Sequence, residues 1–210
     1  MNDVVPPAAA ESAAAGVSRI ALGIEYKGSR YRGWQRQEAG VPSVQEALER
    51  ALSKVAAEPV GVICAGRTDA AVHASGQVVH FDTAVERPLK AWVMGTNANL
   101  PADISVTWAR VMPAHFHARF SAMARRYRYA IYNDPIRPAH RAEEVTWNHR
   151  PLDIGRMREA AQVLVGTHDF TSFRAVQCQA KSPVKTMHHV RLLEHGRLIV
   201  LDIRGNAFIN

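Results

Sequence analysis

The densest group of side chains that could do chemistry lies in residues 66–74, which read Gly-Arg-Thr-Asp-Ala-Ala-Val-His-Ala. Asp69 stands two residues after Arg67, and apolar stretches that predict strands flank the segment. A neighbouring guanidinium favours the ionised form of a carboxylate, which is then suited to act as a nucleophile or a base. The same spacing also fits a turn in which Asp or Thr caps the backbone and Arg is a surface partner. The residues alone leave both interpretations open.

A second group combines aromatic and basic side chains in one predicted strand. Tyr127 and Tyr129 alternate with Arg126 and Arg128, so the two kinds of side chain point to opposite faces of a strand. Aromatic rings can stack on an unpaired base while guanidinium groups bind phosphates, a combination typical of RNA-binding proteins. The alternative is a half-buried strand with tyrosines in the core and a solvated arginine face.

The overall charge points to the same kind of partner. The 210-residue chain carries 26 basic and 19 acidic residues, a formal net charge of +7, and 21 of its cations are arginine. This excess favours a polyanionic partner such as nucleic acid, although a GC-rich genome also enriches arginine. The loop over residues 27–42 mixes aromatic residues with arginines, including Arg36, and could lie along a nucleic-acid backbone.

Several classes of function lack the residues that they need. Cys64 and Cys178 are the only cysteines and form no C-x-x-C motif, which excludes a disulfide framework and a thiolate zinc site. The ten histidines show no metal-ligand spacing, and neither a P-loop nor a G-x-G-x-x-G motif is present. We therefore predict no metal, no cofactor and no nucleotide.

The N-terminus and the hydropathy pattern indicate location. No stretch approaches the roughly 20 apolar residues that span a bilayer. Residues 1–18 form an Ala/Pro/Ser-rich segment without the basic start of a signal peptide, and we expect this tail to be disordered. We accordingly expect a cytoplasmic protein with no membrane association.

The N-terminal half, residues 19–112, shows the periodicities of a βαββαβ unit. A capping box, Ser43 followed by Glu46, starts the clearest helix. The predicted strands are residues 19–26, 60–65, 76–82 and 104–108, and a second helix is predicted over 88–100. This order predicts a ferredoxin-like half, with helices on one face of an antiparallel sheet.

The C-terminal half, residues 113–210, begins the same pattern and does not complete it. A strand is predicted over 125–132, a helix over 152–165, and a hairpin over 186–204 that turns at His195-Gly196. We therefore predict an α+β fold of two ferredoxin-like (βαββαβ) halves sharing an antiparallel sheet, the second half incomplete. Truncation would leave one sheet edge uncovered unless a partner supplies the cover.

The sequence resembles the TruA-type tRNA pseudouridine synthases. The matching segments are residues 19–26, 33–37, 43–45, 65–69, 116–120, 127–129, 169–173 and 206–208. The Gly-Arg-Thr-Asp segment is the most specific of these. The resemblance implies isomerisation of uridine to pseudouridine in the anticodon stem and loop of tRNA, at tRNA positions 38–40, by a cytoplasmic homodimer that needs no cofactor.

The resemblance also implies roles for individual residues. Asp69 is the expected catalytic aspartate, Arg67 pairs with it and helps displace the base, and Tyr127 stacks on the target base. An ionised carboxylate could attack C1′ or remove the C2′ proton, and the sequence does not choose between them. The other substrate-binding residues that we predict are Arg126, Arg128, Arg36 and His73.

Two positions depart from the family pattern. The family has Gly where this chain has Ala71, and if that position needs a positive φ, the Cβ costs about 1 kcal/mol. The family also continues beyond Phe208 into a His-Met-Val-Arg helix and a last strand, whereas this chain ends at Asn210, which predicts a shortened member. Alternatives are therefore an inactive truncated homologue, a fragment that does not fold, or a non-catalytic RNA-binding module. An RRM version of that module lacks its strand glycine.

Overall fold

The computed structural model describes residues 16–174 and 182–209. The expected N-terminal tail lies almost entirely outside this range, as does Cys178. The chain divides into two compact units, of which the first ends at Ala122 and the second begins at Met123. Within the described residues no helix is long and apolar enough to cross a membrane.

The first unit has the element order that the sequence predicts, βαββαβ. Its elements are β1 (Ser18–Tyr26), α1 (Val44–Ala56), β2 (Ile63–Cys64), β3 (Ala74–Thr83), α2 (Leu89–Asn99) and β4 (Ile104–Met112). The strands pair in the order β2-β3-β1-β4, and every pairing is antiparallel. This strand order is that of a ferredoxin-like sheet.

Local sequence explains the core of this unit. The Ser43 hydroxyl accepts a hydrogen bond from the Glu46 N–H and so caps α1 as predicted. The alternation in β1 places Leu22 and Ile24 fully out of solvent. These two side chains belong to one apolar cluster with Leu48 of α1 and with side chains from β3, α2 and β4. The sheet is thereby a fixed support for the loops at its ends.

The predicted strand over residues 60–65 shortens to two residues in the structure. The N–H of Val60 donates to the Ser53 hydroxyl at 2.9 Å, and the N–H of Val62 donates to the Glu49 carboxylate at 3.1 Å. Side chains of α1 therefore take the donors that a longer sheet ladder would have used. Val60 and Val62 are nevertheless buried, which explains the apolar pattern of the segment.

The described residues of the second unit form a five-stranded sheet and one α-helix. Its elements are β5 (Arg125–Asn133), β6 (Thr146–Asn148), α3 (Ile154–Gln162), β7 (Gly166–Asp169), β8 (Val184–His195) and β9 (Leu198–Gly205). The strand order is β6-β5-β9-β8-β7, in which only β5 and β6 run parallel. The predicted hairpin of β8 and β9 is confirmed, with Gly196 in the left-handed region at φ 61°.

The α+β fold class is confirmed, and two details differ from expectation. The described strands form two separately hydrogen-bonded sheets, one in each unit, where a shared sheet was predicted. Strand patterns along a chain do not specify which sheet edges pair, so that expectation had no local signal behind it. In addition, β6 pairs with Ile131–Asn133 of β5 and covers part of the edge that was expected to be open.

Candidate active site

The loop that carries Asp69, residues 66–73, follows β2 and is held by the segment after β1. The phenol oxygen of Tyr26 and the hydroxyl of Thr68 lie 2.7 Å apart in a hydrogen bond, and the N–H of Trp34 donates to the Thr68 carbonyl at 2.9 Å. Tyr26 and Trp34 are both buried, and their rings are 6.0 Å apart. The Asp69 loop is therefore anchored to the core of the first unit one residue before the carboxylate.

The other end of the Asp69 loop is held by hydrogen bonds to the segment that follows β1. The N–H of Gly28 donates to Nδ1 of His73 at 3.0 Å, and the N–H of Ala71 donates to the Tyr31 carbonyl at 3.3 Å. A Cβ on Gly28 would lie 2.0 Å from the carbonyl oxygen of Val72, so only glycine fits there. His73, predicted to bind substrate, thus also closes the loop against residue 28.

The Asp69 side chain is exposed on this supported loop. The backbone carbonyl of Asp69 accepts a hydrogen bond from the Val72 N–H at 3.3 Å, so residues 69–72 form a turn. Arg67 is also exposed, and among residues 16–174 and 182–209 no ion pair joins it to Asp69. The structure therefore presents the carboxylate to solvent, where a macromolecular substrate can reach it, without the predicted pair.

Ala71 adopts φ 65°, in the left-handed region that favours glycine. Position 71, where the family has glycine, therefore does have a positive φ. A Cβ at such a φ costs on the order of 1 kcal/mol. Ala71 lies two residues after Asp69, so this strain is stored inside the loop that carries the carboxylate.

Strand β5 shows the predicted separation of aromatic and basic side chains. Tyr127 pairs with Ile203 of β9, and Arg128 pairs with Asp202, so the two side chains lie on opposite sheet faces. The Tyr127 ring meets Phe208 edge-on at 4.8 Å and is 39% exposed. An aromatic face that is partly open to solvent is what base stacking requires.

The arginines of β5 converge on a carboxylate that sequence reasoning did not single out. Asp202 is 2% exposed and accepts from both Nε (2.7 Å) and Nη2 of Arg126. Nε of Arg128 lies 3.6 Å from the same carboxylate, and Nε2 of His189 lies 3.1 Å from it. The Arg126 hydrogen bonds hold the pKa of Asp202 far below its usual range. The sequence signal that could have identified Asp202 is that it is the one acidic residue in the otherwise apolar stretch 199–203.

Arg36 lies in the loop that follows Trp34. The Arg36 guanidinium is largely exposed and lies 3.9 Å from the Glu49 carboxylate. The backbone N–H of Arg36 donates to the side-chain oxygen of Gln45 at 3.1 Å. At that distance the ion pair is weak and leaves the guanidinium accessible to an anion. The described residues contain no group of three or more His, Cys, Asp or Glu that could hold a metal.

Comparison with known proteins identifies the family. A family model described as tRNA pseudouridine synthase matches residues 23–121 and 160–210. The chain is 99% identical over 210 residues to tRNA pseudouridine synthase A of Pseudomonas aeruginosa, covering all of this chain and 74% of that protein. It is 59% identical over 193 residues to the protein of that name from Alcanivorax borkumensis, covering 92% of this chain and 72% of the relative. The chain therefore belongs to the tRNA pseudouridine synthase family, and it is shorter than these relatives, as predicted.

Proposed function

We propose that this protein isomerises uridine to pseudouridine in the anticodon stem and loop of tRNA, with Asp69 as the catalytic residue. The observation that carries the proposal is an exposed carboxylate on a loop held at both ends, in the sequence context of the family. An anchored loop places a reactive group more reproducibly than a mobile one. An exposed carboxylate also suits a substrate too large to enter a closed cavity.

The reaction needs only groups that amino acids supply. The N1–C1′ bond of uridine breaks, the base turns, and a C5–C1′ bond forms, while C5 loses a proton and N1 gains one. The exchange is redox neutral and needs neither a metal nor a nucleotide. The Asp69 carboxylate begins it either by attack on C1′ or by removal of the C2′ proton.

Substrate binding is assigned to residues of both units. Tyr127 stacks on the target base, which offsets part of the few kcal/mol lost when a base leaves its stack. Arg126 and Arg128 bind phosphates, and Arg36 does the same along the first unit. Arg67 is assigned to displacement of the base, and His73 supports the substrate while it closes the Asp69 loop.

Replacing Asp69 by Asn tests the proposal. We expect pseudouridine formation in unmodified tRNA to fall by about a thousandfold or more, since an amide is neither a nucleophile nor a base. Affinity for tRNA should change little. Glu86→Gln, which removes one exposed carboxylate elsewhere in the first unit, is the matched control and should keep full activity. Product that persists in Asp69→Asn refutes the assignment.

A non-catalytic RNA-binding protein is the second candidate. It is favoured by the lack of an Asp69–Arg67 ion pair within the described residues. The same assay separates the two functions. Salt-dependent tRNA binding without product from the unchanged chain would support this candidate and reject the enzymatic one.

We also propose that the protein is a homodimer in the cytoplasm, on the strength of the family resemblance. Sedimentation equilibrium of the purified chain tests the oligomeric state. A single species of about one chain mass at micromolar concentration would reject the dimer.

A further inference from the structure

One face of the second unit carries a concentration of positive charge around a single acid. The pairing of β5, β9 and β8 sets Arg126, Arg204 and His189 in one row across the sheet. The adjacent row contains Arg128, Asp202 and Arg191. Directly opposed residues of antiparallel strands share a face. We call this surface, with its four arginines, one histidine and one aspartate, the basic face.

The basic face lies opposite the side of the sheet that α3 covers. Helix α3 packs against side chains such as Val190 and Leu192, which alternate with those of the basic face along β8. The charged side chains therefore remain accessible, whereas α3 covers the part of the apolar face that β8 forms and leaves Tyr127 of β5 partly exposed. An accessible face of this kind can meet a large ligand without rearrangement of the unit.

The charges on this face do not cancel. Asp202 is the acid within the two rows, and Arg126 already binds both of its oxygens. In the described part of the chain, neither Arg191 nor Arg204 forms a side-chain ion pair. At least two guanidinium groups are thus left without a countercharge, which favours an anionic ligand.

A cavity opens on this face beside the first row. It has a volume of about 340 Å³, more than a single phosphate group fills, and its lining residues are Met123, Ala124, Arg125, Arg126, His189 and Arg204. Nε and Nη2 of Arg126 are bound to the buried Asp202, which leaves Nη1 as a donor toward a ligand. A guanidinium held in this way is ordered before a ligand arrives.

We propose that this cavity binds one backbone phosphate of the RNA substrate through Arg204 and Arg126, and that Asp202 is the positioning residue for Arg126. The inference rests on the proposed tRNA substrate and adds Arg204 and Asp202 to the residues assigned to it. The contact is to the phosphodiester, so it fixes where the RNA lies and does not read its sequence.

Arg204→Gln tests the phosphate contact because this exposed side chain has no role in the core. Affinity for unmodified tRNA is measured against sodium chloride concentration for the unchanged chain and the variant. We expect the slope of log K against log salt to become shallower by about 0.7 to 0.9, the value for one lost phosphate contact. At low salt the dissociation constant should rise by about five- to tenfold.

Arg156→Gln is the matched control, since it removes an exposed guanidinium from α3, on the other side of the sheet. It should leave the slope within error of the unchanged chain. Equal slopes for Arg204→Gln and Arg156→Gln overturn the proposal, as does the absence of tRNA binding by the unchanged chain.

Inorganic phosphate added at constant ionic strength shows whether the bound anion is an RNA phosphate or free phosphate. Competition only at concentrations far above those of tRNA phosphate supports the RNA backbone, whereas tight inorganic phosphate binding with unchanged tRNA affinity overturns it.

Asp202→Asn tests the positioning role through the sign of its effect on binding. Removing a negative charge from a phosphate site strengthens binding if charge alone matters, whereas loss of a fixed Arg126 weakens it. We expect a weakening of about threefold or more in protein that circular dichroism shows to be folded. Stronger binding by Asp202→Asn overturns the positioning role. If that variant does not fold, Arg126→Lys takes its place. This variant keeps the charge but loses the two-pronged contact with Asp202, and it should weaken binding similarly.

The outcomes separate this inference from the proposed function. If the chain makes pseudouridine and Arg204→Gln leaves the salt dependence of tRNA binding unchanged, only the phosphate site is refuted and the proposed function stands. A chain that makes no product, but loses one phosphate contact in Arg204→Gln, refutes the enzymatic function and keeps the site.

Discussion

At the scale of single residues, the conformation of Ala71 sets the shape of the loop that presents Asp69. Its φ of 65° is tolerated because the Ala71 N–H is bound to the Tyr31 carbonyl and the segment is anchored on both sides. The strain is a local cost that the rest of the first unit carries. A glycine would adopt the same backbone without it.

Ala71→Gly is expected to stabilise the first unit by about 0.5 kcal/mol. Relief of the left-handed strain exceeds the extra chain entropy that glycine adds to the unfolded state. Urea unfolding followed by tryptophan fluorescence measures the difference. Ala70→Gly is the control: that residue has no positive φ, so it should be destabilising. Equal destabilisation by both variants would show that position 71 is unstrained.

At the scale of elements, the Asp69 loop depends on close approach of the segment that follows β1. The Gly28 N–H meets His73, and the space where a Gly28 side chain would begin is filled by the Val72 carbonyl. The second unit is organised differently, through cross-strand contacts to Asp202 that join β5, β9 and β8. Each site thus depends on contacts between elements, two segments at the Asp69 loop and three strands around Asp202.

Gly28→Ala should displace the Asp69 loop. The new Cβ would clash with backbone at 2.0 Å, and relief requires movement of the loop or of the strand end. We expect a loss of about 2 kcal/mol in unfolding free energy and a larger fall in kcat than in tRNA affinity. Gly76→Ala, on β3 with no atom within 4 Å of the added Cβ, is the control and should retain activity. Unchanged kcat in Gly28→Ala would contradict the close approach.

At the scale of the whole molecule, several buried or paired groups make stability depend on pH. Burial lowers the pKa of His80 to about 4, with the Arg19 and His117 charges acting in the same direction and Asp82 opposing them. Its Nδ1 accepts the Ala118 N–H at 3.1 Å and must therefore stay unprotonated. The pKa values of Asp82, Asp103 and Asp202 are lowered by their partners.

Acidification should destabilise the protein in two successive windows. Below pH 6.5 the unfolded chain protonates His80 and the folded chain does not, so stability falls until about pH 4 and is constant with respect to this group below that value. The expected loss is about 2 kcal/mol between pH 7 and pH 5. The paired carboxylates add a further loss below their unfolded pKa, near pH 4.

Denaturant unfolding at pH 7, 6 and 5 measures the first window. His80→Asn keeps an acceptor for the Ala118 N–H and cannot be protonated in this range, so its stability should fall less over the same interval. A pH dependence identical to that of the unchanged chain would mean that His80 does not carry the effect.

Much of the molecule could be predicted from local patterns. The strand over residues 19–26, the Ser43 cap and the turn at Gly196 each depend on neighbours within a few residues, and each is confirmed, although β1 is buried on both faces over residues 20–24. The opposite facing of Tyr127 and Arg128 follows from the same period of two. The Gly-Arg-Thr-Asp segment indicated the family because its order and spacing are themselves local.

The sequence by itself predicted the element order of the first unit, the family and the candidate acid, but not the short strands β6 and β7 of the second unit. Only the tertiary structure decided how the Asp69 loop is held, that Asp69 and Arg67 are not paired among the described residues, and that the basic face surrounds Asp202. Gly28 and His73 are 45 residues apart, and Arg126 and Asp202 are 76 apart. Contacts over such separations depend on which strands become neighbours, and no local periodicity carries that information.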